Sequence, residues 1–146
     1  MSIKKEPKLT FFQPDFESEI KIPFMTESVS AGFPSPAADF MENNIDLNKE
    51  LSENPIATFY IKVKGNSMID AGINDKDVLV VDRSLEPQNN KIAICFIDGE
   101  FTVKRIQLEK ECLYLMPENE NYPPIKVTEE NELIIWGIVT YVIKKV

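Results

Sequence analysis

From Ala57 to the C-terminus one pattern recurs, and it constrains the fold more than any other feature. Short runs of β-branched and aromatic residues are broken at close intervals by Gly, Pro, Asn and Asp. The runs are ATFYIKVKG (57–65), DVLVVD (77–82), KIAICFID (91–98), EFTVKRIQL (100–108), CLYLMPE (112–118), PIKVT (124–128) and ELIIWGIVTYVIKKV (132–146). Rich in strand formers and bounded by turn residues, they read as strands. Asp98-Gly99, between two of them, is a strong signal for a tight hairpin. The chain has 146 residues and 43 % apolar content, enough for one core. The expected fold is mainly β: compact twisted sheets with one or two short helices.

The N-terminal part reads differently. Residues 1–34 carry Pro7, Pro14, Pro23 and Pro34, mixed charge and no sustained periodicity, which predicts an extended arm ahead of a body spanning 35–146. Segments around FFQPDF and IKIPFM could lay their aromatics on that body. Ser35 suits a helix N-cap and Pro36 the first helical position. Ala37, Ala38, Met41 and Ile45, with Phe40 beside them, then give a short apolar face, so a short helix is predicted there. DLNKELSEN adds a second turn or two before Pro55.

Charge narrows the function. The net charge is −8; residues 1–31 hold four Lys and five acids, and the remainder 12 basic and 19 acidic residues, a net of −7. Such a surface releases few counterions from a phosphate backbone, which argues against direct, sequence-specific DNA binding. The longest strongly apolar run, Leu133 to Ile143, has eleven residues, where a bilayer span needs about 20. The N-terminus lacks the apolar core of a signal peptide. The expectation is a cytoplasmic protein without a membrane segment.

The chemistry is bounded by what the chain lacks. It has no histidine, which removes every Ser-His-Asp and Cys-His scheme at once. Cys95 and Cys112 lie in apolar, strand-like runs, read as small buried thiols, and two Cys without His offer no zinc spacing. Asn74, Asp75 and Asp77 could face a cation, but turn capping is the better reading. No cofactor is expected.

One stretch breaks the strand rhythm. In VKGNSMIDAGINDKD, Gly65 and Ser67 follow a strand, and a brief helical pattern runs until Gly72. A serine at a strand-to-helix turn can expose its Oγ beside convergent N–H groups, the need of an oxyanion hole. Read alone, Ser67 is better explained as an N-cap. With no histidine its base would have to be a lysine held neutral in an apolar site. In FTVKRIQL, period-two alternation puts Lys104 on a face with Thr102, Ile106 and Leu108, which is not fully polar. Lowering a lysine from about 10.4 to about 7 requires roughly 4.6 kcal/mol of differential desolvation. Read alone, Lys104 too is better explained as a solvent-facing strand lysine.

Together the blocks carry a resemblance. GNSMIDAGINDKDVLVVD and DGEFTVKRIQ resemble the two active-site blocks of the self-cleaving serine peptidases related to the LexA repressor. AGFPSPAADF, with IDLNKEL after it, most resembles the UmuD-type proteins of SOS mutagenesis. The likeness runs from about Ile22 to the closing WGIVTYVIKKV, in three separated blocks in the family's order. Both spacings agree with the family: 104 − 67 = 37 residues from serine to lysine, and 67 − 31 = 36 from cleavage position to serine.

The resemblance implies a LexA/UmuD-like peptidase fold, with Ser67 as nucleophile and Lys104 as general base. The bond cut would be the chain's own Ala31–Gly32 peptide, with the amides of Ser67 and Met68 binding the oxyanion. It further implies a homodimer whose cleavage is stimulated by the RecA filament on single-stranded DNA. Residues 32–146 would then serve a UmuC-type translesion polymerase. Small residues flanking the bond suit a narrow cleft, and Pro34 and Pro36 keep the segment out of a helix.

Two features depart from the family: Lys76 stands where a glycine is common before Asp77, and the arm is several residues longer. A repressor would need a DNA-binding domain ahead of the cleavage site, which this arm cannot build. A signal-peptidase relative would normally carry a membrane anchor. A non-catalytic binding module of the same fold is the remaining alternative.

Overall fold

The computed structural model describes residues 9–17, 21–25 and 41–146. The strands are β1 (Leu9–Phe12), β2 (Lys21–Met25), β3 (Met41–Asp46), β4 (Thr58–Val63), β5 (Val78–Asp82), β6 (Ile92–Ile97), β7 (Glu100–Leu108), β8 (Leu113–Met116), β9 (Ile125–Val127) and β10 (Leu133–Ile143). Eight of them form one sheet in the order β1-β4-β5-β10-β6-β7-β8-β9, while β2 and β3 pair separately. Every pairing is antiparallel. The mainly β expectation holds, and all seven runs after Ala57 contain a strand.

The C-terminal strand joins the two halves of the sheet. Strand β10 lies between β5 and β6 and pairs with both, through register shifts at Ile135/Gly137 and Val139/Tyr141. Gly137 sits at the first irregularity. A Cβ there would lie 2.6 Å from Val81 Cγ1, a fully buried side chain.

Core residues fill both sides of the sheet. On β6, Ile94 belongs to a cluster with Ile61, Leu79 and Val103, while Ala93, Cys95 and Ile97 join Ile106 and Leu115 in a second. Successive strand residues point to opposite faces, so a strand buried on both sides must be apolar throughout. The run IAICFI satisfies this.

One region differs from expectation, and another adds detail to it. Met41–Asp46, predicted as part of a helix starting near Ser35, is strand β3, with Ile45 opposite Ile22 and Met41 opposite Met25. Adjacent Asn43 and Asn44 are poor helix formers, and pairing with β2 supplies the ladder that local sequence does not reveal. Residues 35–40 lie outside the described residues. The helix begins instead at α1 (Leu47–Leu51), with the Asp46 carboxylate accepting from the N–H groups of Asn48 and Lys49. Tyr60 on β4 donates its hydroxyl to Asn48 Oδ1 at 2.7 Å and anchors α1 to the sheet.

The added detail concerns β1. Its residues belong to the segment expected as an extended arm with aromatics on the body, and they pair with β4 from Leu9↔Val63 to Phe12↔Tyr60. Leu9 is buried in the first cluster. Phe11 meets Phe101 and Trp136 edge-on at 4.9 and 4.8 Å, contacts worth about 0.5–1.5 kcal/mol each beyond their buried area. Arg83 closes this aromatic group from above, 4.4 Å over the Trp136 ring.

Gly137→Ala is expected to cost about 1–3 kcal/mol, because Val81 has no open space to move into. A denaturant midpoint equal to the parent's would show that the register shift can absorb a methyl group.

Candidate active site

The nucleophile candidate stands on a turn and the base candidate inside the sheet. After β4 the chain turns at Gly65, whose φ of 106° suits glycine, and reaches Ser67. A 3₁₀ turn over Ile69–Ala71 follows, ended by left-handed Gly72. Its N-cap residue is Met68, with no side-chain cap. Ser67 therefore does not spend its hydroxyl on capping, which removes the simpler reading of this serine.

The turn is held from both sides. Asp75 Oδ1 accepts the Gly65 N–H at 2.8 Å and Asp77 Oδ2 the Asn74 N–H at 2.7 Å, so these carboxylates cap the loop as expected. On the other side the Glu118 N–H donates to the Ser67 carbonyl at 2.9 Å, and the Asp70 N–H to the Glu118 carbonyl at 2.7 Å. Among the described residues, neither the Ser67 nor the Met68 N–H has a hydrogen-bond partner.

Lys104 is placed by β7. The hairpin at Asp98-Gly99 forms as expected, with φ of 48° and 86° at the two turn residues, and fixes the register Ala93↔Lys104 and Cys95↔Thr102. Lys104 is only 6 % exposed. It shares its strand face with Thr102 and Ile106, so it is not the solvent-facing lysine of the simpler reading. Its Nζ donates to Thr102 Oγ1 at 2.7 Å and to the Val103 carbonyl at 3.1 Å. The same nitrogen lies 3.4 Å from Ser67 Oγ, just beyond the usual 2.7–3.2 Å range.

The structure thus brings together Ser67, Met68 and Lys104 from two separated sequence blocks. Ser67 and Lys104 open on a cleft of about 270 Å³ whose walls include residues 64–66, Phe101 and Thr102 of β7, and Tyr122, Pro123 and Ile125, while Met68 is buried. Ala31 and Gly32 lie outside the described residues. Thr102 was not singled out by sequence, although its place two residues before Lys104 puts both side chains on one face. No group of three or more His, Cys, Asp or Glu able to hold a metal occurs among the described residues.

Cys95 reports how dry this face is. Burial pushes its thiol up to about 12, with the charge of Lys104 acting in the opposite direction. Cys112 stands just before β8 and is half-buried.

Known proteins resemble this chain in sequence. The family described as Peptidase S24-like matches residues 23–140. Protein MucA of Salmonella typhimurium is 41 % identical over 137 residues, covering 92 % of either chain. Protein SamA of the same species is 45 % identical over 123 residues, covering 84 % of this chain and 85 % of SamA. The LexA repressor of Alcanivorax borkumensis is 40 % identical over 111 residues, which are 75 % of this chain and 53 % of the repressor. No helix among the described residues is long and apolar enough to cross a membrane.

Only the thiolate is alkylated at an appreciable rate. At pH ~8, well below the Cys95 value, native protein treated with iodoacetamide is expected to gain one adduct, at Cys112, and a second after unfolding. Rapid labelling of native Cys95 would mean that this face is wet.

Proposed function

This chain belongs to the S24-like peptidase family, in its UmuD-type group, and on that premise we propose that it is a self-cleaving Ser-Lys peptidase acting on its own Ala31–Gly32 bond. The observation that carries the reading is the buried Lys104 amine 3.4 Å from the Ser67 hydroxyl, at the wall of an open cleft.

The uncharged amine of Lys104 takes the proton of Ser67 Oγ while Oγ attacks the Ala31 carbonyl carbon. The oxyanion is met by the N–H groups of Ser67 and Met68. As the intermediate collapses the Ala31–Gly32 C–N bond breaks, and the lysine proton goes to the departing Gly32 amine. Residues 1–31 remain as an ester on Ser67. Lys104 then takes a proton from water, the resulting hydroxide attacks the ester, and Ser67 recovers its proton as the arm's new carboxylate forms. Thr102 Oγ1 and the Val103 carbonyl hold the amine toward the serine throughout. Small residues at the scissile bond fit the narrow space between the turn and β7.

We extend the reading to the group's biology. The cut is a single-turnover switch in SOS mutagenesis, stimulated by the RecA filament on single-stranded DNA. Its product, residues 32–146, acts as a homodimer on a UmuC-type translesion polymerase. That cut would sever the covalent link between β1 and the body carrying β4, so β1 would stay on the sheet edge of the processed protein only by non-covalent pairing.

Intact mass tests the chemistry. The reaction needs the uncharged amine, and an ordinary lysine titrates near ~10.4, so loss of residues 1–31 should accelerate from pH ~7 to pH ~10. RecA filament should accelerate it at neutral pH. Ser67→Ala should abolish the cut, and Lys104→Ala should slow it by at least the ~10²-fold that a positioned base contributes. Undiminished cutting by Lys104→Ala at neutral pH would remove Lys104 from the mechanism. An intact chain under every condition would favour a non-catalytic binding module.

A further inference from the structure

The serine and lysine sit on different elements, so something must fix the distance between them. On the far side of β7 from Lys104, the neighbouring Arg105 pairs through Nε with Glu118 Oε1 and donates from Nη1 to the Asn90 carbonyl at 2.7 Å. Glu118 is also the residue whose backbone grips the nucleophile turn, donating to the Ser67 carbonyl and accepting from the Asp70 N–H. Asn119 adds a third link, from its side-chain amide to the Asn66 carbonyl at 2.8 Å. The path from base to nucleophile runs Lys104, Arg105, Glu118, Ser67.

The geometry points to Arg105 and Glu118 as positioning residues that fasten the Ser67 turn to the strand carrying Lys104. Backbone links tie residues 118–119 to the turn, and the β7–β8 ladder stops at Arg105↔Met116, two residues short of Glu118. The ion pair ties 118 to β7. Its members are each about one-third exposed, at 32 % and 30 %, so as a stabilising surface pair it contributes little. Its effect is on distance. The resting separation of 3.4 Å already lies just beyond the reach at which a base takes a proton, and a further displacement of about 1 Å costs on the order of 10²-fold in rate.

This inference rests on the self-cleavage reading, and one measurement is chosen to be independent of it. In full-length Glu118→Ala protein, amide hydrogen exchange at Asp70 and Glu118 is expected to quicken ~10-fold or more, with β5 and β10 unchanged. Unchanged exchange at those two amides overturns the proposal whether or not the chain cuts itself. Wild-type protein that never cuts would defeat the cleavage reading instead, and the exchange result would still decide the fastening.

Cleavage supplies the second readout. Glu118→Ala should lower the high-pH plateau rate ~10-fold or more while leaving the midpoint of the pH profile in place. The exchanged pair Arg105→Glu with Glu118→Arg should recover most of the rate that either single change loses. A shifted midpoint with an unchanged plateau would mean that Arg105 acts on Lys104 through its charge, and would overturn positioning. So would failure of the exchanged pair to recover in a protein with the parent's denaturation midpoint.

Discussion

An amine kept out of water within reach of a hydroxyl is the constraint around which this molecule is built. A loop could not supply it, because loop side chains stay wet. Strand β7 can, since β6 and β8 flank it, and its Val103 and Ile106 enter cores on opposite sides of the sheet. Lys104 lies between those two residues, on the same face as Ile106, and is itself buried. Burying an ammonium there would be costly without partners, and Thr102 Oγ1, the Val103 carbonyl and Ser67 Oγ provide acceptors. Ser67 has the opposite need. It stands on a turn at the wall of the cleft, where the hydroxyl of the proposed nucleophile could meet a substrate.

How much of this was legible follows from how far each signal reaches along the chain. Strands after Ala57 and the Asp98-Gly99 hairpin announce themselves locally, through period-two patterning and turn chemistry. The depth of Lys104 does not, because its surroundings come from Ala93 and Cys95 on the paired strand. Family resemblance, rather than the residues taken singly, pointed to Ser67 and Lys104 together. Met41–Asp46 was misread because a six-residue segment is decided by its partner β2. Glu118 gave no sequence signal at all: its role rests on backbone bonds to a turn 51 residues earlier (118 − 67 = 51).

Lys76 shows that a departure from the family pattern can be read as geometry. Its φ is 72°, in the left-handed region where glycine has no penalty. For a lysine that conformation costs about 1–2 kcal/mol. The turn holds because it is overdetermined: the Lys76 N–H donates to the Val63 carbonyl at 2.8 Å, Asp75 caps Gly65, and Lys144 pairs with buried Asp77. The strain falls next to the support of the Ser67 turn without reaching it.

The position of the proposed scissile bond relative to the strands has a consequence for what a cut there would accomplish. Residues 26–40 connect β2 to β3, whose register sets Met25 against Met41, so Ala31–Gly32 lies in the connection of an antiparallel pair. Both β1 and β2 precede that bond, while their partners β4 and β3 follow it. Breaking one peptide would leave two ladders spanning the nick, with Leu9 still in the core and Phe11 still against Trp136. Before the cut these contacts are intramolecular and gain from the high effective concentration of a tether; after it they must hold as a bimolecular complex. Two short ladders with two anchoring side chains make a weak ligand on those terms. On the proposed mechanism, chemistry at Ser67 and departure of the arm would therefore be separate events. The second would expose the edge of β4, and an uncovered edge strand is a site that another chain can pair with.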